Sequence, residues 1–307
     1  MNARRKAFLH AAPTGSAMKQ LGLMLLIFAF AVSDGLAQRR GRGGYRGGYG
    51  GDSWISEDAQ TAREVPTHST GTPTWTNAFG FEKDVWTFVR IKRGRSPYSY
   101  GGPWSTDAPD SDLNLSFRLQ QMTSLKTDPN GRFLWLTEKD LANYPFIYMV
   151  EPGSLSLTEP EIAALRSYLL NGGFLWLDDF WGEEEWNGME AVMKHVFPNR
   201  TFEELKLDHP IYSCVFQIKS KGQVPNYGLG EESQYNGGRT WELPDAREVH
   251  HRAIYDDKGR MMVLATHNTD NGDGWEREGE YPYYFEHFSE KIAYPLGINV
   301  VFYVMTH

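Results

Sequence analysis

Residues 146–182, "FIYMVEPGSLSLTEPEIAALRSYLLNGGFLWLDDFWG", contain the pattern that decides the fold. The stretches at 146–150 and 174–177 are apolar without alternation, which is typical of strands buried on both faces of a sheet. Between them, Thr158 and Glu161 form a capping box, and apolar residues then recur at helical spacing up to a Gly-Gly stop. The order strand, helix, strand predicts a βαβ unit with two parallel strands.

Further elements extend this unit in both directions. Apolar stretches at 85–91 and 261–266 predict two more buried strands, and "YDDKGR" at 255–260 predicts the turn of a hairpin leading into the second of them. Helical periodicity predicts helices at 111–125, 183–197 and 294–307, although the last segment also fits a strand. We therefore expect a single α/β domain over residues 80–307, built as a three-layer sandwich with a mainly parallel central sheet.

The N-terminus carries the features of an exported protein. Leu21 to Val32 is purely apolar, Lys19 precedes it, and Gly35-Leu36-Ala37 follows as a small-residue cleavage pattern. These features predict a signal peptide over residues 1–37, with translation starting at either Met1 or Met18. The apolar stretch is too short to span a bilayer comfortably, so we expect a periplasmic or secreted protein.

Two polar segments separate this signal from the predicted domain. Residues 38–52 are rich in Arg, Gly and Tyr, a composition that predicts disorder and leaves open either a plain tether or contact with an anionic cell envelope. Residues 53–79 are rich in Thr, Ser and Pro without a helical or strand period, and they predict a linker.

Composition restricts the classes of partner. The chain has a formal net charge of −8, so we expect no nucleic-acid partner. Its one cysteine, Cys214, cannot form an internal disulfide. Apolar neighbours such as Ile211 and Phe216 predict a structural thiol in a buried strand rather than a nucleophile.

Each predicted parallel strand ends in polar or aromatic residues, and such ends meet at one edge of a sheet, where ligands bind in open α/β folds. The candidate ligand-binding residues at this edge are Trp104, Asp107, Glu151, Asp178, Asp179, Trp181, His267, Asn268, Asp270, Trp275 and Glu276. We expect Glu151, Asp178 and His267 to lie within about ten ångströms of one another in an acidic, Trp-lined cleft. For any single residue, such as Asp112 or Asp179, a turn or helix-cap role is the alternative.

Several specific chemistries are not supported by the sequence. It contains no G-x-S-x-G elbow, phosphate-binding P-loop, dinucleotide fingerprint or H-E-x-x-H motif. His250 and His251 could join His267 at a zinc ion, but adjacent strand residues point to opposite faces. "DSDLN" at 110–114 spaces carboxylates alternately but lacks the glycine and distal glutamate of an EF-hand loop.

The leading hypothesis is therefore a binding protein for a polar small molecule, such as a saccharide or envelope material, with no cofactor. The alternative is a hydrolase that uses paired carboxylates or a bound divalent cation. The sequence does not decide whether the protein is an enzyme.

Three stretches resemble a bacterial family catalogued as domain of unknown function 4159. They are "GGPWSTDAPDSDLNLSFRLQQMTSLKTDPNG" (101–131), "YMVEPGSLSLTEPEIAALRSYLLNGGFLWLDDFWG" (148–182) and "HNTDNGDGWEREGE" (267–280), and the resemblance extends from about Phe81 to His307. It implies a flavodoxin-like fold similar to the class I glutamine amidotransferase group. Enzymes of that group place a cysteine shortly after a strand resembling 174–177. Here Asp178 and Asp179 follow, so the resemblance does not imply amidotransferase chemistry.

Overall fold

The computed structural model describes residues 55–68, 71–80, 84–94 and 103–307. The predicted signal peptide and the Arg/Gly/Tyr-rich segment lie outside the described residues. Within the part of the chain that is described, no helix is both long and apolar enough to cross a membrane.

Seven strands form one sheet. They are β1 (Val89–Lys92), β2 (Arg132–Trp135), β3 (Phe146–Val150), β4 (Phe174–Asp178), β5 (Glu203–Glu204), β6 (His250–Tyr255) and β7 (Met261–His267). The spatial order is β2-β1-β3-β4-β7-β6-β5. The sheet contains five parallel strands, which are β2, β1, β3, β4 and β7 in spatial order. β6 and β5 follow β7 as antiparallel strands at one end.

The helices flank this sheet. They are α1 (Asp110–Met122), α2 (Glu159–Leu170), α3 (Gly182–Val196), α4 (Tyr227–Glu232), α5 (Asn271–Glu276), α6 (Pro282–Tyr284) and α7 (Tyr294–Thr306), with a π-helical segment, Phe285–Ala293, joining α6 to α7. Short 3-10 turns occur at Ala62–Glu64, Pro103–Ser105, Lys139–Asn143, Pro152–Ser154 and Pro210–Tyr212.

The predicted βαβ unit is confirmed. β3 and β4 pair in parallel with Phe146 opposite Phe174, and α2 connects them. The capping box is also present, because the Glu161 carboxylate accepts hydrogen bonds from the Thr158 backbone N–H at 2.8 Å and from its hydroxyl at 2.7 Å. The hairpin turn at 255–260 joins β6 to β7, and the C-terminal segment is a helix rather than a strand.

Apolar side chains of alternate strand residues form two cores, one on each face of the sheet. On the first face, Trp176 of β4 packs with residues of α1, α5 and α7. On the second face, Leu177 packs with residues of α2 and α3. Helices therefore cover both faces, which gives the three-layer sandwich expected from the sequence.

The sheet has a point where the order of its strands reverses. From β1 the chain passes through α1 on the first face to β2, and from β3 it passes through α2 on the second face to β4. β1 and β3 are neighbours, so the two connections leave their carboxyl ends in opposite directions. In open α/β sheets, the crevice at such a reversal is the usual ligand position.

Part of the segment assigned to a linker packs on the domain. Ile55, Ala62 and Val65 are buried in a small core with Phe133 of β2 and Trp104. The carbonyl of Gln60 accepts a hydrogen bond from the Phe133 N–H at 2.8 Å, so this segment covers the outer edge of β2. Among the described residues, the packed unit therefore includes the segment from Ile55, because its apolar side chains pack against the edge of the sheet.

Cys214 does not lie in a strand, contrary to the sequence-based expectation. It follows the 3-10 turn at Pro210–Tyr212, it is half-buried, and its thiol lies 3.2 Å from the carbonyl oxygen of Asn299. Burial raises the pKa of the Cys214 thiol, so the reactive thiolate is disfavoured.

We expect Cys214→Ser to lower the free energy of unfolding by no more than about 1 kcal/mol, because the hydroxyl can donate to the same carbonyl. Urea unfolding of the two proteins gives this difference. Rapid labelling of native Cys214 by a thiol reagent, at the rate of a free thiol, would contradict a structural role.

Candidate functional site

Five buried carboxylates meet beyond the carboxyl ends of the parallel strands. This carboxylate cluster consists of Asp107, Asp179, Asp270, Asp273 and Glu276, none of them more than 8% exposed. Asp107, Asp179 and Asp270 offer oxygens within 4.8 Å of one another, and so do Asp107, Asp273 and Glu276. The cluster draws on the segments that follow β1, β4 and β7, so the topology of the sheet brings it together.

Asp107 belongs to both triads and has the most unusual surroundings. Its backbone has a φ of 65°, a left-handed conformation that aspartate tolerates better than most residues. Its Oδ2 is buried and has no hydrogen-bond partner among the described residues. Buried carboxylate oxygens are nearly always paired, so an orphan of this kind calls for an explanation.

Arg90 of β1 fixes the loop that carries Asp107. Its guanidinium donates to both oxygens of Asp112 at 2.5–3.0 Å and to the backbone carbonyls of Trp104 and Thr106 at 3.1 and 2.7 Å. Arg90 is fully buried, and desolvation lowers its pKa, but the charge and hydrogen bonds of Asp112 together with the charges of Tyr148 and Asp107 outweigh it, so the net direction is up. This buried ion pair positions Asp107 without belonging to the cluster.

α5 supplies the other side of the site. Asp270 caps the helix by accepting a hydrogen bond from the Asp273 N–H at 2.9 Å, and the Asp273 carboxylate accepts one from the Tyr227 N–H at 2.8 Å. A Cβ on Gly272 would lie 2.1 Å from Asp107 Oδ2, so only glycine leaves room for that carboxylate. The sequence Asp-Asn-Gly-Asp at 270–273 therefore provides a helix cap, carboxylate oxygens of the kind that bind metal ions, and space for the Asp107 side chain.

Crowding of negative charge perturbs the cluster. Burial, followed by repulsion from neighbouring carboxylates, raises the pKa of Asp107 and of Asp270 well above the usual range. Burial and the charge of Glu276 raise the pKa of Asp273 well above its usual range in the same way. A buried group of this charge is stable only if it takes up protons or positive ions.

Asp178, the neighbour of Asp179, has a different environment. Its oxygens accept five hydrogen bonds at 2.5–3.2 Å, from the hydroxyls of Tyr148 and Thr266, the backbone and side-chain amides of Asn271, and the Gly272 N–H. Burial raises the pKa of Asp178 to about 6 in spite of these donors. Asp178 therefore anchors the start of α5 to the sheet and belongs to neither triad.

The family of the chain follows from a direct comparison. A family model described as "Domain of unknown function (DUF4159)" matches residues 87–305. The chain belongs to this family. None of the curated proteins compared with the chain matches it. All five members of the carboxylate cluster lie inside the matched DUF4159 range.

One residue at the rim of the cluster lies outside the DUF4159 match. His68, in the segment that covers β2, places Nδ1 3.3 Å from Glu276 Oε1 and 3.5 Å from Asp110 Oδ2. Arg277 lies on the other side of Glu276, with Nε 2.7 Å from Oε2. Burial raises the pKa of Glu276, but the His68 hydrogen bond and the Arg277 charge outweigh it, so the net direction is down.

The expectation that Asp178 and His267 share a site is wrong. Alternate residues of a strand face opposite sides, so Asp178 lies on the face of Trp176, whereas His267 stacks on Phe180 and Trp186 over the second face. Burial lowers the pKa of His267 to about 4, and its Nε2 lies 2.9 Å from the Gly182 carbonyl oxygen.

The remaining candidates from the sequence, which include Glu151, Asn268 and three tryptophans, contact other residues of the DUF4159 domain. Glu151 has a φ of 51°, and Thr106 donates to its carboxylate at 3.2 Å. Asn268 accepts from the Gly182 N–H at 2.8 Å. The three candidate tryptophans do not line an open cleft, because each indole is at most 1% exposed. Trp104 packs on Phe133 and Trp275 packs on Trp176, whereas Trp181 donates to Asp179 of the carboxylate cluster at 3.1 Å.

Histidine ligands are likewise absent from the described clusters. His250 stacks on His267 with ring centroids 5.9 Å apart, whereas the neighbouring His251 bonds to the Tyr212 hydroxyl on the other face. Both triads of potential metal ligands found among the described residues are made of carboxylates alone.

Three residues that shape the site are not among the candidates from the sequence. Asp273 is not among the candidates, although its position three residues after the Asp270 cap is a usable signal. Arg90 reads as one residue of an apolar strand, and His68 lies in a segment assigned to a linker. No local pattern marks the last two, because their roles depend on contacts with distant parts of the chain.

Proposed function

We propose that the DUF4159 domain binds a divalent cation in the carboxylate cluster, and that the cation serves to hold a polar ligand such as a saccharide or envelope material. The observation that carries this proposal is the buried, unpaired Oδ2 of Asp107 among four other carboxylates. Each of the other four has a hydrogen-bond or ion-pair partner that orients it, as outer-shell groups do around metal ligands.

The ligand atoms favour a hard cation. Ca²⁺, Mg²⁺ and Mn²⁺ prefer carboxylate oxygens, whereas Zn²⁺ is usually held by histidine or cysteine. Neither triad contains a histidine or a cysteine: His267 faces the other side of the sheet, and His68 contacts Glu276 but belongs to neither triad. We therefore assign the site to a cation of the Ca²⁺, Mg²⁺ or Mn²⁺ type.

Thermal and chemical unfolding with and without these cations tests the proposal. A cation at one hundred times its dissociation constant should add about 2.7 kcal/mol to the free energy of unfolding. Asp107→Asn should abolish this gain, whereas Asp208→Asn, the same change at an exposed aspartate, should retain it. Equal gains in all three proteins would show that the cation binds elsewhere.

The stability of the cation-free domain should depend on pH in an unusual direction. The raised pKa values of Asp107, Asp270 and Asp273, and the value of about 6 for Asp178, mean that the folded state binds protons that the unfolded state has released. The free energy of unfolding should therefore fall as the pH rises, above all from about 6.5, because the lowered pKa values of the buried His251 and His267 oppose this trend only at lower pH.

Urea unfolding in the presence of a chelator at pH 5, 6, 7 and 8 measures this trend, and saturating Ca²⁺ or Mn²⁺ should reduce it because the cation replaces the protons. A cation-free domain that becomes more stable from pH 5 to pH 8 would contradict the charge balance described for the cluster.

We further propose that the protein is exported, with cleavage after Ala37 so that the mature chain begins at Gln38. The apolar stretch and the small residues before Gln38 support this proposal. Intact-mass analysis of the protein from its native host should show a species lacking residues 1–37, and a mass that includes Leu21 to Val32 would argue against cleavage.

A second candidate function is hydrolysis, since a bound divalent cation lowers the pKa of a bound water and generates a nucleophile. It is favoured by the left-handed backbone of Asp107 and Asp179, because strain of this kind clusters at active sites. Cation-dependent release of product from envelope glycans or esters, lost in Asp107→Asn, would distinguish hydrolysis from binding alone.

A further inference from the structure

The carboxylate cluster is too large and too divided for one ion. Its five carboxylates form two triads that share only Asp107, with Asp179 and Asp270 on one side and Asp273 and Glu276 on the other. A cation bound within one triad is not coordinated by the two remaining carboxylates of the other triad.

We infer that the cluster is a two-cation centre in which the Asp107 carboxylate bridges two hard divalent cations, one in each triad. This inference rests on the proposed cation-binding function and deepens it by assigning the number of ions and the ligands of each. A shared carboxylate is suited to this arrangement, because its two oxygens can bind one ion each, and two-metal sites hold their ions about 3.5–4 Å apart.

The charge balance agrees with two ions rather than one. Five ionised carboxylates carry five negative charges in a buried site, and two divalent cations neutralise four of them. Arg277, whose guanidinium pairs with Glu276, supplies a positive charge at the second triad. With Arg277, two divalent cations balance all five charges, whereas one divalent cation would leave about two negative charges to be neutralised by protons.

The orphaned oxygen of Asp107 points to a ligand as well. Asp107 is 8% exposed, so it is more than nine-tenths buried, and its Oδ2 lies in the space that the absent side chain of Gly272 leaves open. This Oδ2 has no hydrogen-bond partner among the described residues. An unpaired acceptor in a carboxylate cluster suits a cation and not a further acceptor group.

Mn²⁺ is the probe of choice, because it binds oxygen ligands and is paramagnetic. Equilibrium dialysis of the full mature chain should give two Mn²⁺ per chain, and electron paramagnetic resonance should show the broadened spectrum of a spin-coupled pair. Asp270→Asn, which preserves the helix cap, and Glu276→Gln should each retain one Mn²⁺ with the signal of an isolated ion. Asp107→Asn should raise the dissociation constants of both Mn²⁺ ions by at least tenfold.

The outcomes separate this inference from the function on which it rests. One Mn²⁺ per chain, lost equally in all three variants, would overturn the two-cation centre and leave the single-cation function standing. No Mn²⁺ and no Ca²⁺ bound to a chain whose circular dichroism is native would overturn both. Two uncoupled ions that both persist in Asp107→Asn would also overturn the bridge.

Discussion

Arg90→Met is expected to lose about 3–5 kcal/mol of the free energy of unfolding, because it leaves the Asp112 carboxylate buried without its partner. Both side chains are fully buried, and the guanidinium also holds the carbonyls of Trp104 and Thr106. Since these carbonyls belong to the loop that carries Asp107, the variant should also lose cation binding. Urea unfolding and Mn²⁺ dialysis measure the two effects.

Two further variants separate a lost ion pair from lost packing. Arg90→Met with Asp112→Leu should recover much of the stability, because an apolar pair of similar volume avoids the buried charge. Arg132→Met, on the neighbouring strand β2, should cost at most about 1 kcal/mol, because its partner Asp140 is 60% exposed and the Nη2–Oδ2 distance is 3.6 Å. An Arg90→Met variant as stable as Arg132→Met would show that the ion pair does not hold the loop.

Much of the fold could be predicted from the sequence because the central strands are buried on both faces. β3, β4 up to Leu177 and β7 up to Ala265 are apolar without interruption and are bounded by clear helix or turn signals. β2 and β5 lack this signal, since β2 begins with Arg132 at the edge of the sheet and β5 has only two glutamates. Their pairing depends on neighbours that a local pattern does not reveal.

The site could be predicted at the level of the sheet edge but not at the level of side-chain direction. The order of strands and helices indicates that Asp107, Asp179 and Asp270 follow strand ends at the same edge. A shift of one residue reverses the face to which a strand residue points, which is why Asp178 and His267 were wrongly combined. The tryptophans were misjudged for a related reason, since an indole beside a polar loop can pack beneath that loop instead of lining a cleft.

Asp178→Ala and Asp107→Asn are expected to change stability in opposite directions, although both aspartates are buried near the start of α5. Asp178→Ala removes the acceptor of five hydrogen bonds. It leaves the buried donors of Tyr148, Asn271 and Gly272 without a partner. With about 1–3 kcal/mol for each unsatisfied donor, partly relieved by relaxation, we expect a loss of about 4 kcal/mol.

Asp107→Asn removes a charge whose Oδ2 has no hydrogen-bond partner among the described residues, and asparagine tolerates the left-handed backbone equally well. In the presence of a chelator at pH 8, this variant should be at least as stable as the unaltered protein, because repulsion within the carboxylate cluster falls. Saturating Ca²⁺ should then stabilise the unaltered protein and leave Asp107→Asn unchanged, so that the order of the two stabilities reverses.

Urea unfolding of the three proteins, each with chelator and with Ca²⁺, gives six free energies that test this reversal. Asp178→Ala should remain the least stable in both conditions, because its lost hydrogen bonds are independent of any cation. If Asp107→Asn loses as much stability as Asp178→Ala in chelator, then Asp107 is a structural residue and its unpaired oxygen indicates no ligand. The expected reversal means that the Asp107 carboxylate lowers the free energy of unfolding without a cation and raises it when a cation is bound. Asp107 is then retained for binding, since folding alone would favour asparagine at this position.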